Sequence, residues 1–233
     1  MREYEQYCPV ARAAEVLGDR WTLLIVRELI NGARHFNDLD RGLPGISRSL
    51  LAQRLQALEH LGVLERRVGC RRRATEYTLT SAGQALREPI QALGKWGARW
   101  AFGDPRPEEL DTVLLLWRVR CRINRDALPP RRVVVEFNFP GSGRSCLWLV
   151  LERHEVSLCL KHPGFESDLV VTADLAVFYQ VWLGRLTFSE ASHRGKIRIE
   201  GSRALERVFP HWLQWSPMAP VVREALAAAR AGA

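Results

Sequence analysis

Apolar residues recur at helical spacing along most of the first hundred residues. Segments 11–17 and 21–30 each carry them on one face, and Gly18–Asp19 between them supplies a helix stop and the next N-cap. A third short helix is predicted at 36–40, before the Gly/Pro turn at 42–45. The pattern therefore predicts three short packed helices ahead of a longer fourth one.

The fourth helix has an apolar face and a polar face. Ser47 is its natural N-cap, and the predicted core stripe is Leu51, Leu55, Leu58 and Gly62. The opposite face consists of Ser49, Gln53 and Gln56, with Arg48 and Ala52 beside them. This face is either an ordinary solvated surface or a surface for a ligand.

A hairpin and a last helix complete the first half. Segments 63–68 and 74–79 are β-prone, and the loop between them contains three consecutive arginines: Arg71, Arg72 and Arg73. Thr80 caps the last helix, and Pro89 predicts a kink in it. Its apolar side consists of Leu86, Ile90, Leu93, Trp96, Gly97 and Trp100, more than so small a domain can cover, which predicts a homodimer.

The proline-rich segment 103–107 cannot continue a helix and is typical of a stiff linker. A length of 233 residues suits two domains, which we place at 1–103 and 108–233.

The second half mixes helices and strands. A helix is predicted with Leu110, Val113, Leu114, Trp117 and Cys121 on its buried side. Strands are predicted at 132–139, 145–153, 156–161 and 169–172, followed by helix 175–183, a turn or helix at 188–193, strand 196–200, helix 203–214 and a final helix. Short turns favour antiparallel pairing for three strands and a fourth. The fold class is α+β, with an antiparallel or mixed sheet covered by helices.

Large aromatic side chains are concentrated in this second half, which holds five of the eight tryptophans. They fit an apolar ligand cavity, although an ordinary core uses the same residues. The predicted lining residues are Phe137, Phe139, Trp148, Phe178, Trp182, Phe188 and Trp212.

Charge, apolar runs and cysteine content indicate the class of partner, the compartment and the state of the thiols. The net charge of +8 favours polyanionic partners, and only the first half has basic clusters. No apolar run reaches membrane-spanning length and no signal peptide is evident, so we expect a cytoplasmic protein. The five cysteines form no CxxC pair, so reduced thiols are expected.

Catalytic motifs are not supported. Gly141–Gly143 sits in a predicted hairpin turn, whereas a phosphate-binding loop should open a helix. The six histidines show no metal-ligand spacing, and no GxSxG elbow occurs. We therefore expect no metal, no cofactor and no enzymatic activity. A lipid-modifying second domain is the weakest alternative.

The order of elements in the first half is that of a winged helix-turn-helix. Such a fold places the second helix of its turn motif in the DNA major groove, where Arg and Gln can read base edges, while the arginines of the hairpin contact phosphates.

The first half also resembles the HxlR family. The resemblance rests on Tyr7–Pro9, Leu17–Trp21, Phe36–Leu39, Gly45–Ser47, Leu58–Leu64, Glu76–Thr80 and Trp96–Gly97, and covers residues 7–100. It implies a bacterial winged-helix transcription factor that dimerises through its first and last helices. It also implies a recognition helix carrying Ser47, Arg48, Ser49, Gln53 and Arg54, a wing carrying Arg71, Arg72 and Arg73, and a candidate redox-sensing thiol at Cys8.

Residues 108–215 are similar to sterol-carrier-protein type lipid-binding domains. Segments 168–174, 183–184 and 195–201 carry this resemblance, which implies an apolar tunnel between sheet and helices. Together the two halves predict a regulator, with repression the expected sign, that binds double-stranded operator DNA and responds to an apolar or aromatic effector. The alternative is a thiol switch at Cys8 with a merely structural second domain.

Overall fold

The computed structural model describes residues 4–68 and 75–231. The chain forms two compact units, Met1–Leu93 and Gly94–Ala233. The division falls inside a helix, about ten residues before the proline-rich segment 103–107. The domain limits 1–103 and 108–233 therefore remain predictions.

The first unit has the predicted order of elements. Helices α1 to α4 are Pro9–Leu17, Thr22–Ile30, Phe36–Gly42 and Arg48–His60, strands β1 and β2 are Leu64–Arg67 and Glu76–Leu79, and α5 and α6 are Ser81–Ala85 and Arg87–Trp100. The two strands pair antiparallel, with Leu64 opposite Leu79 and Arg67 opposite Glu76. The predicted kink near Pro89 is a break at Leu86 between α5 and α6, because proline has no N–H to donate to the carbonyl of Ala85.

The core of this unit confirms most of the predicted stripe on α4. Leu51, Leu55 and Leu58 are buried together with Ile25 and Leu39 of the preceding helices. Gly62 was wrongly placed in this stripe. It lies beyond the end of α4, is exposed and has a φ of +68°, so it ends the helix and turns the chain into β1.

A segment before α3 extends the hairpin. His35 forms a bridge with Glu76, and the Tyr77 amide donates to the Arg34 carbonyl over 2.8 Å. The Nδ1 atom of His35 lies 3.1 Å from the Thr75 carbonyl oxygen. These contacts fix the wing hairpin to the start of α3.

The second unit is a five-stranded sheet with helices. Its strands β3 to β7 are Val133–Asn138, Cys146–Leu151, Val156–Cys159, Leu169–Ala173 and Ile197–Gly201, and its helices α7 to α11 are Thr112–Arg120, Leu175–Trp182, Phe188–His193, Arg203–Val208 and Ala219–Ala231. Short 3-10 turns lie at Pro107–Glu109, Arg125–Ala127 and Phe209–Trp212. The strand order is β5-β4-β3-β6-β7.

Strand β6 corrects the expected antiparallel pairing of the fourth strand. Strands β3, β4 and β5 pair antiparallel as predicted, but β6 lies parallel to β3, with Phe137 opposite Val171. The connection 160–168 is long enough to cross from one edge of the β3–β5 hairpins to the other side of β3. The sheet is therefore mixed.

Helix α7 buries only part of the predicted face. Trp117 is buried as predicted, together with Leu115, Leu116 and Val119, whereas Cys121 at the end of the predicted stripe is exposed. Apolar residues occur on most sides of this helix, so its 3.6-residue period does not select one face.

Alternation along the strands separates the two faces of the sheet. One face, which includes Val135, Phe137, Leu149 and Val171, packs with the helices in a single core. The other face carries Glu136 and its cross-strand partner Trp148, both half-buried.

Candidate functional site

The exposed side of α4 is the candidate nucleic-acid interface. Ser47, Arg48, Ser49 and Gln53 are all exposed, as the sequence predicts. The Ser47 hydroxyl accepts a hydrogen bond from the Leu50 amide over 3.2 Å, which is the expected N-cap. Polar side chains thus surround the positive end of the helix dipole, a favourable place for a phosphate.

Arg48 is held by α3. Its guanidinium donates hydrogen bonds to the carboxylate of Asp40 and, over 3.2 Å, to Oδ1 of Asn37. Its Cζ atom also lies 4.7 Å from the centre of the Phe36 ring. Since 62% of the Arg48 side chain is exposed, the remaining N–H groups of this oriented fork can reach a ligand.

Arg54 lies apart from this exposed surface. It forms an ion pair with Asp19, which lies in the turn between α1 and α2. Only a quarter of its side chain is exposed, and its Nε is buried without a hydrogen-bond partner among the described atoms. Arg54 therefore connects α4 to the turn that precedes α2.

In the wing hairpin, the arginines that the structure describes lie on strand β1. Arg66 and Arg67 on β1 are exposed, and Arg67 lies 3.4 Å from the Glu65 carboxylate. The predicted wing residues Arg71, Arg72 and Arg73 lie outside the described residues, so their contribution stays a prediction.

Asn37 and Asp40 were missed by sequence reasoning. Both belong to α3, eleven and eight residues before Arg48. Their polar side chains follow Phe36 at positions consistent with one helix side, but only the packing of α3 against α4 shows that they meet an arginine.

Cys8 occupies the N-cap position of α1. It is a free thiol, half-buried, and its carbonyl accepts from the Arg12 amide over 3.0 Å. Tyr7 beside it is fully exposed and Val10 is largely exposed. The thiol therefore lies between exposed residues at the start of the first helix.

The predicted effector-lining residues divide between the two faces of the second unit. Phe137, Phe139 and Phe178 are fully buried and contact one another, with ring centroids 5.8 to 6.3 Å apart. Trp182 and Trp212 are buried in the same core. The structure therefore brings these five residues together in one aromatic core, and the ligand cavity remains a prediction.

Two of the predicted lining residues lie elsewhere. Phe188 is half-buried at the margin of the core, stacked on Trp215 with centroids 6.1 Å apart. Trp148 lies on the opposite face of the sheet, 5.4 Å from the ring centroid of His162. The structure does not bring Trp148 together with the buried rings.

A carboxylate on that opposite face, with several hydrogen-bond donors around it, was also missed by sequence reasoning. Glu136 accepts from Asn138 Nδ2 at 3.0 Å, Ser167 Oγ at 3.0 Å and Trp148 Nε1 at 3.3 Å. Burial opposes ionisation, but these bonds and one from Cys146 outweigh it and lower the pKa of Glu136. Burial, followed by the charge of Glu136, raises the pKa of Cys146 to about 11.

The helices give no indication of a membrane span. Among residues 4–68 and 75–231, no helix is both long and apolar enough to cross a bilayer.

Known proteins resemble the first part of this chain. The family model described as HxlR-like helix-turn-helix matches residues 16–104. YvaP of Bacillus subtilis, an uncharacterized HTH-type transcriptional regulator, is 36% identical over 97 residues, which are 41% of this chain and 90% of YvaP. MT3179 of Mycobacterium tuberculosis, also an uncharacterized HTH-type transcriptional regulator, is 44% identical over 100 residues, and the match spans 42% of this chain but only 61% of that protein.

A solved structure shows the same pattern of coverage. The reduced form of the transcriptional regulator YodB from B. subtilis is 34% identical, with a TM-score of 0.37, over 41% of this chain and 96% of YodB. The relatives are transcriptional regulators and not enzymes, so the prediction of a non-enzymatic protein is confirmed. Because the chain matches 90% of a relative at 36% identity, it belongs to the HxlR family and is a DNA-binding transcriptional regulator.

Proposed function

We propose that this regulator reads a two-fold symmetric operator in double-stranded DNA through the exposed side of α4. The observation that carries the proposal is the capped N-terminus of α4, where Ser49 and Gln53 are exposed and Arg48 is oriented by α3. Gln and Arg can each make bidentate hydrogen bonds to base edges in the major groove. Arg71, Arg72 and Arg73 would contact phosphates from the wing.

Selection of bound duplexes from a random library tests this proposal. We expect an enriched motif with two half-sites about one helical turn, ~34 Å, apart. Gln53→Ala should relax the preference at one base pair of each half-site, at a cost of ~1 to 3 kcal/mol for the preferred base. The matched control is Gln214→Ala, since Gln214 is exposed in the second unit. A library that yields no enriched motif would contradict the proposal.

A second copy of the chain is the proposed partner of α6. Leu86 and Ile90 pack against the core of the first unit, but Leu93, Trp96 and Trp100 continue the apolar side of the helix with 52%, 61% and 66% of their surfaces exposed. Apart from the backbone of its own helix, a β-carbon on Gly97 would meet no atom of residues 4–68 and 75–231 within 4 Å, although glycine costs about 1 kcal/mol relative to alanine in a helix. A close-packed helix of another copy would account for both features.

The second unit is the proposed effector domain, similar to sterol-carrier-protein type domains, and repression is the proposed sign of regulation. An apolar or aromatic effector fits its aromatic interior. Because the inner rings contact one another, entry requires the margin to open, and the half-buried pair of Phe188 and Trp215 is the proposed point of entry.

A thiol switch at Cys8 is the second candidate function. The supporting observation is the position of this free, half-buried thiol at the start of α1, among exposed residues. Mild oxidation should then change operator affinity in the wild type and not in Cys8→Ser. An equal response in Cys159→Ser and wild type, together with its loss in Cys8→Ser, would assign the switch to Cys8. Unchanged operator affinity in the oxidised wild type would contradict the thiol switch and leave the effector as the input.

A further inference from the structure

The residues that follow α6 are bound by one arginine of the second unit. Arg185 donates from Nη2 to the carbonyls of Phe102, over 3.0 Å, and Gly103, over 2.8 Å. Its Nη1 donates to the carboxylate of Asp104, and its Cζ lies 5.4 Å from the centre of the Phe102 ring. A single side chain thus contacts three consecutive residues, which include two carbonyls just beyond the C-terminus of a helix, where a cation is favoured.

Arg185 is itself rigidly placed. Only 14% of its side chain is exposed, and its amide donates to the Gln180 carbonyl of α8 over 2.8 Å. The preceding Gly184 has a φ of +78°, and a β-carbon there would lie 2.8 Å from both Cβ and the carbonyl oxygen of Ala219. This turn is therefore packed between the C-terminal end of α8 and the start of α11.

Tyr179 of α8 holds the other end of the same segment, next to α7. The Tyr179 hydroxyl donates to the Asp111 carbonyl over 2.8 Å and accepts from the Asp111 amide over 3.2 Å. Asp111 in turn caps α7 by accepting from the amides of Val113 and Leu114. Burial raises the pKa of Tyr179, so its hydroxyl keeps the proton that it donates.

We propose that α8 and Arg185 form a latch that fixes the segment between α6 and α7 within the second unit, and that changes in α8 reach α6 through this latch. Helix α8 also carries Phe178 and Trp182, which are buried in the aromatic core. Displacement of those rings would move α8, which holds Asp111 through Tyr179 and is followed by the turn that carries Arg185. The effect on DNA rests on the proposed function, whereas the latch itself does not.

The contacts differ in importance. Asp104 is 88% exposed, so its ion pair contributes little. The two carbonyls bound by a mostly buried guanidinium contribute more, because hydrogen bonds to charged groups are the stronger ones. Lysine at this position would keep the charge and lose the planar fork that reaches two carbonyls at once.

Limited proteolysis of the full chain tests the latch. Chymotrypsin cuts after aromatic residues, and Phe102 is followed by glycine. In Arg185→Gln, cleavage after Phe102 should be faster by at least about tenfold, because cleavage follows the population of the opened segment. The matched control Arg203→Gln changes an exposed arginine of α10 and should match the wild type, and Asp104→Asn should stay within about twofold of it.

Two further measurements guard against other causes. If Arg185→Gln loses the circular dichroism signal of the folded protein, Arg185→Lys replaces it. Cleavage after Phe102 should then be several-fold faster than in the wild type. Unchanged cleavage in the folded variant would overturn the latch. DNA binding tests whether the latch transmits changes from α8 to α6. The Kd for the selected duplex should change at least about threefold in the folded Arg185 variant and not in Arg203→Gln. Faster cleavage with an unchanged Kd would overturn the transmission from α8 to α6 but not the latch itself. Failure to select any duplex would count against the proposed DNA function and would not affect the proteolysis result.

Discussion

Arg48 and Arg54 lie on one helix, yet the surrounding structure gives them different roles. Arg48 is exposed and oriented by Asn37 and Asp40, whereas Arg54 is largely enclosed and paired with Asp19. An arginine on a recognition helix therefore contacts DNA only if its neighbours leave its N–H groups available.

Alanine substitution of these two arginines should give opposite phenotypes. Arg54→Ala should lower the free energy of unfolding by ~1 to 2 kcal/mol, because it leaves Asp19 without its partner. Arg48→Ala should change that free energy by less than about 0.5 kcal/mol, because it is a surface change, and should instead weaken operator binding. Urea unfolding and DNA titration check the pair, and equal stability of the two variants would contradict the assignment.

The cysteines of the sheet offer a second test at the same scale. With a pKa of about 11, Cys146 should be thiolate in only about one molecule in a thousand at pH 8. Iodoacetamide should therefore label it slowly, and the rate should rise with pH up to about 11. Removal of the neighbouring charge in Glu136→Gln should lower the pKa of Cys146 and accelerate its labelling at pH 8.

Cys159 is the internal control for this prediction. Burial alone raises its pKa, without a contribution from Glu136. Mass spectrometry of labelled peptides should show a change at Cys146 and none at Cys159. Parallel acceleration of both would instead indicate that the 160–168 connection opens in the variant.

Among the elements, α4 depends on its own cap as well as on packing. Ser47→Ala removes the acceptor for the Leu50 amide and should destabilise the first turn of the helix by ~1 kcal/mol. Ser47→Asn keeps an acceptor at this position and should restore most of that stability. Hydrogen exchange of the α4 amides measures the effect, and equal exchange in the two variants would show that the cap is dispensable.

At the scale of the whole molecule, the exposed apolar side of α6 predicts self-association. Sedimentation at micromolar concentration should give about twice the chain mass of 26.6 kDa. Trp96→Ser should shift the equilibrium to monomer, and the control Leu61→Ser should not, since Leu61 is an exposed apolar residue of a turn. A wild-type monomer would remove the proposed interface and leave the fold intact.

Effector binding is the second prediction for the whole molecule. A panel of fatty acids, sterols and aromatic metabolites should include a ligand that shifts tryptophan emission and raises Tm, with about 2.7 kcal/mol of stabilisation at a hundredfold excess over Kd. Trp182→Ala should weaken that ligand, whereas Trp148→Ala, on the other face of the sheet, should not. A panel without any shift would identify the buried rings as ordinary core.

The sequence by itself determined the local structure of this protein. Helix caps such as Ser47, the apolar period of α4, the break near Pro89 and the turns of the β3–β5 hairpins depend on neighbouring residues, so their patterns are readable along the chain. The ordered motifs of the first half also sufficed to identify its family.

Only the tertiary structure decided which distant residues meet. A strand has the same alternation whether its neighbour is parallel or antiparallel, so the pairing of β6 could not be assigned. The largely apolar α7 could bury more than one face. The partners of Arg48, Arg54 and Arg185 lie 8 to 83 residues away. A local pattern records the period and polarity of a segment, whereas these pairings depend on how separate segments pack.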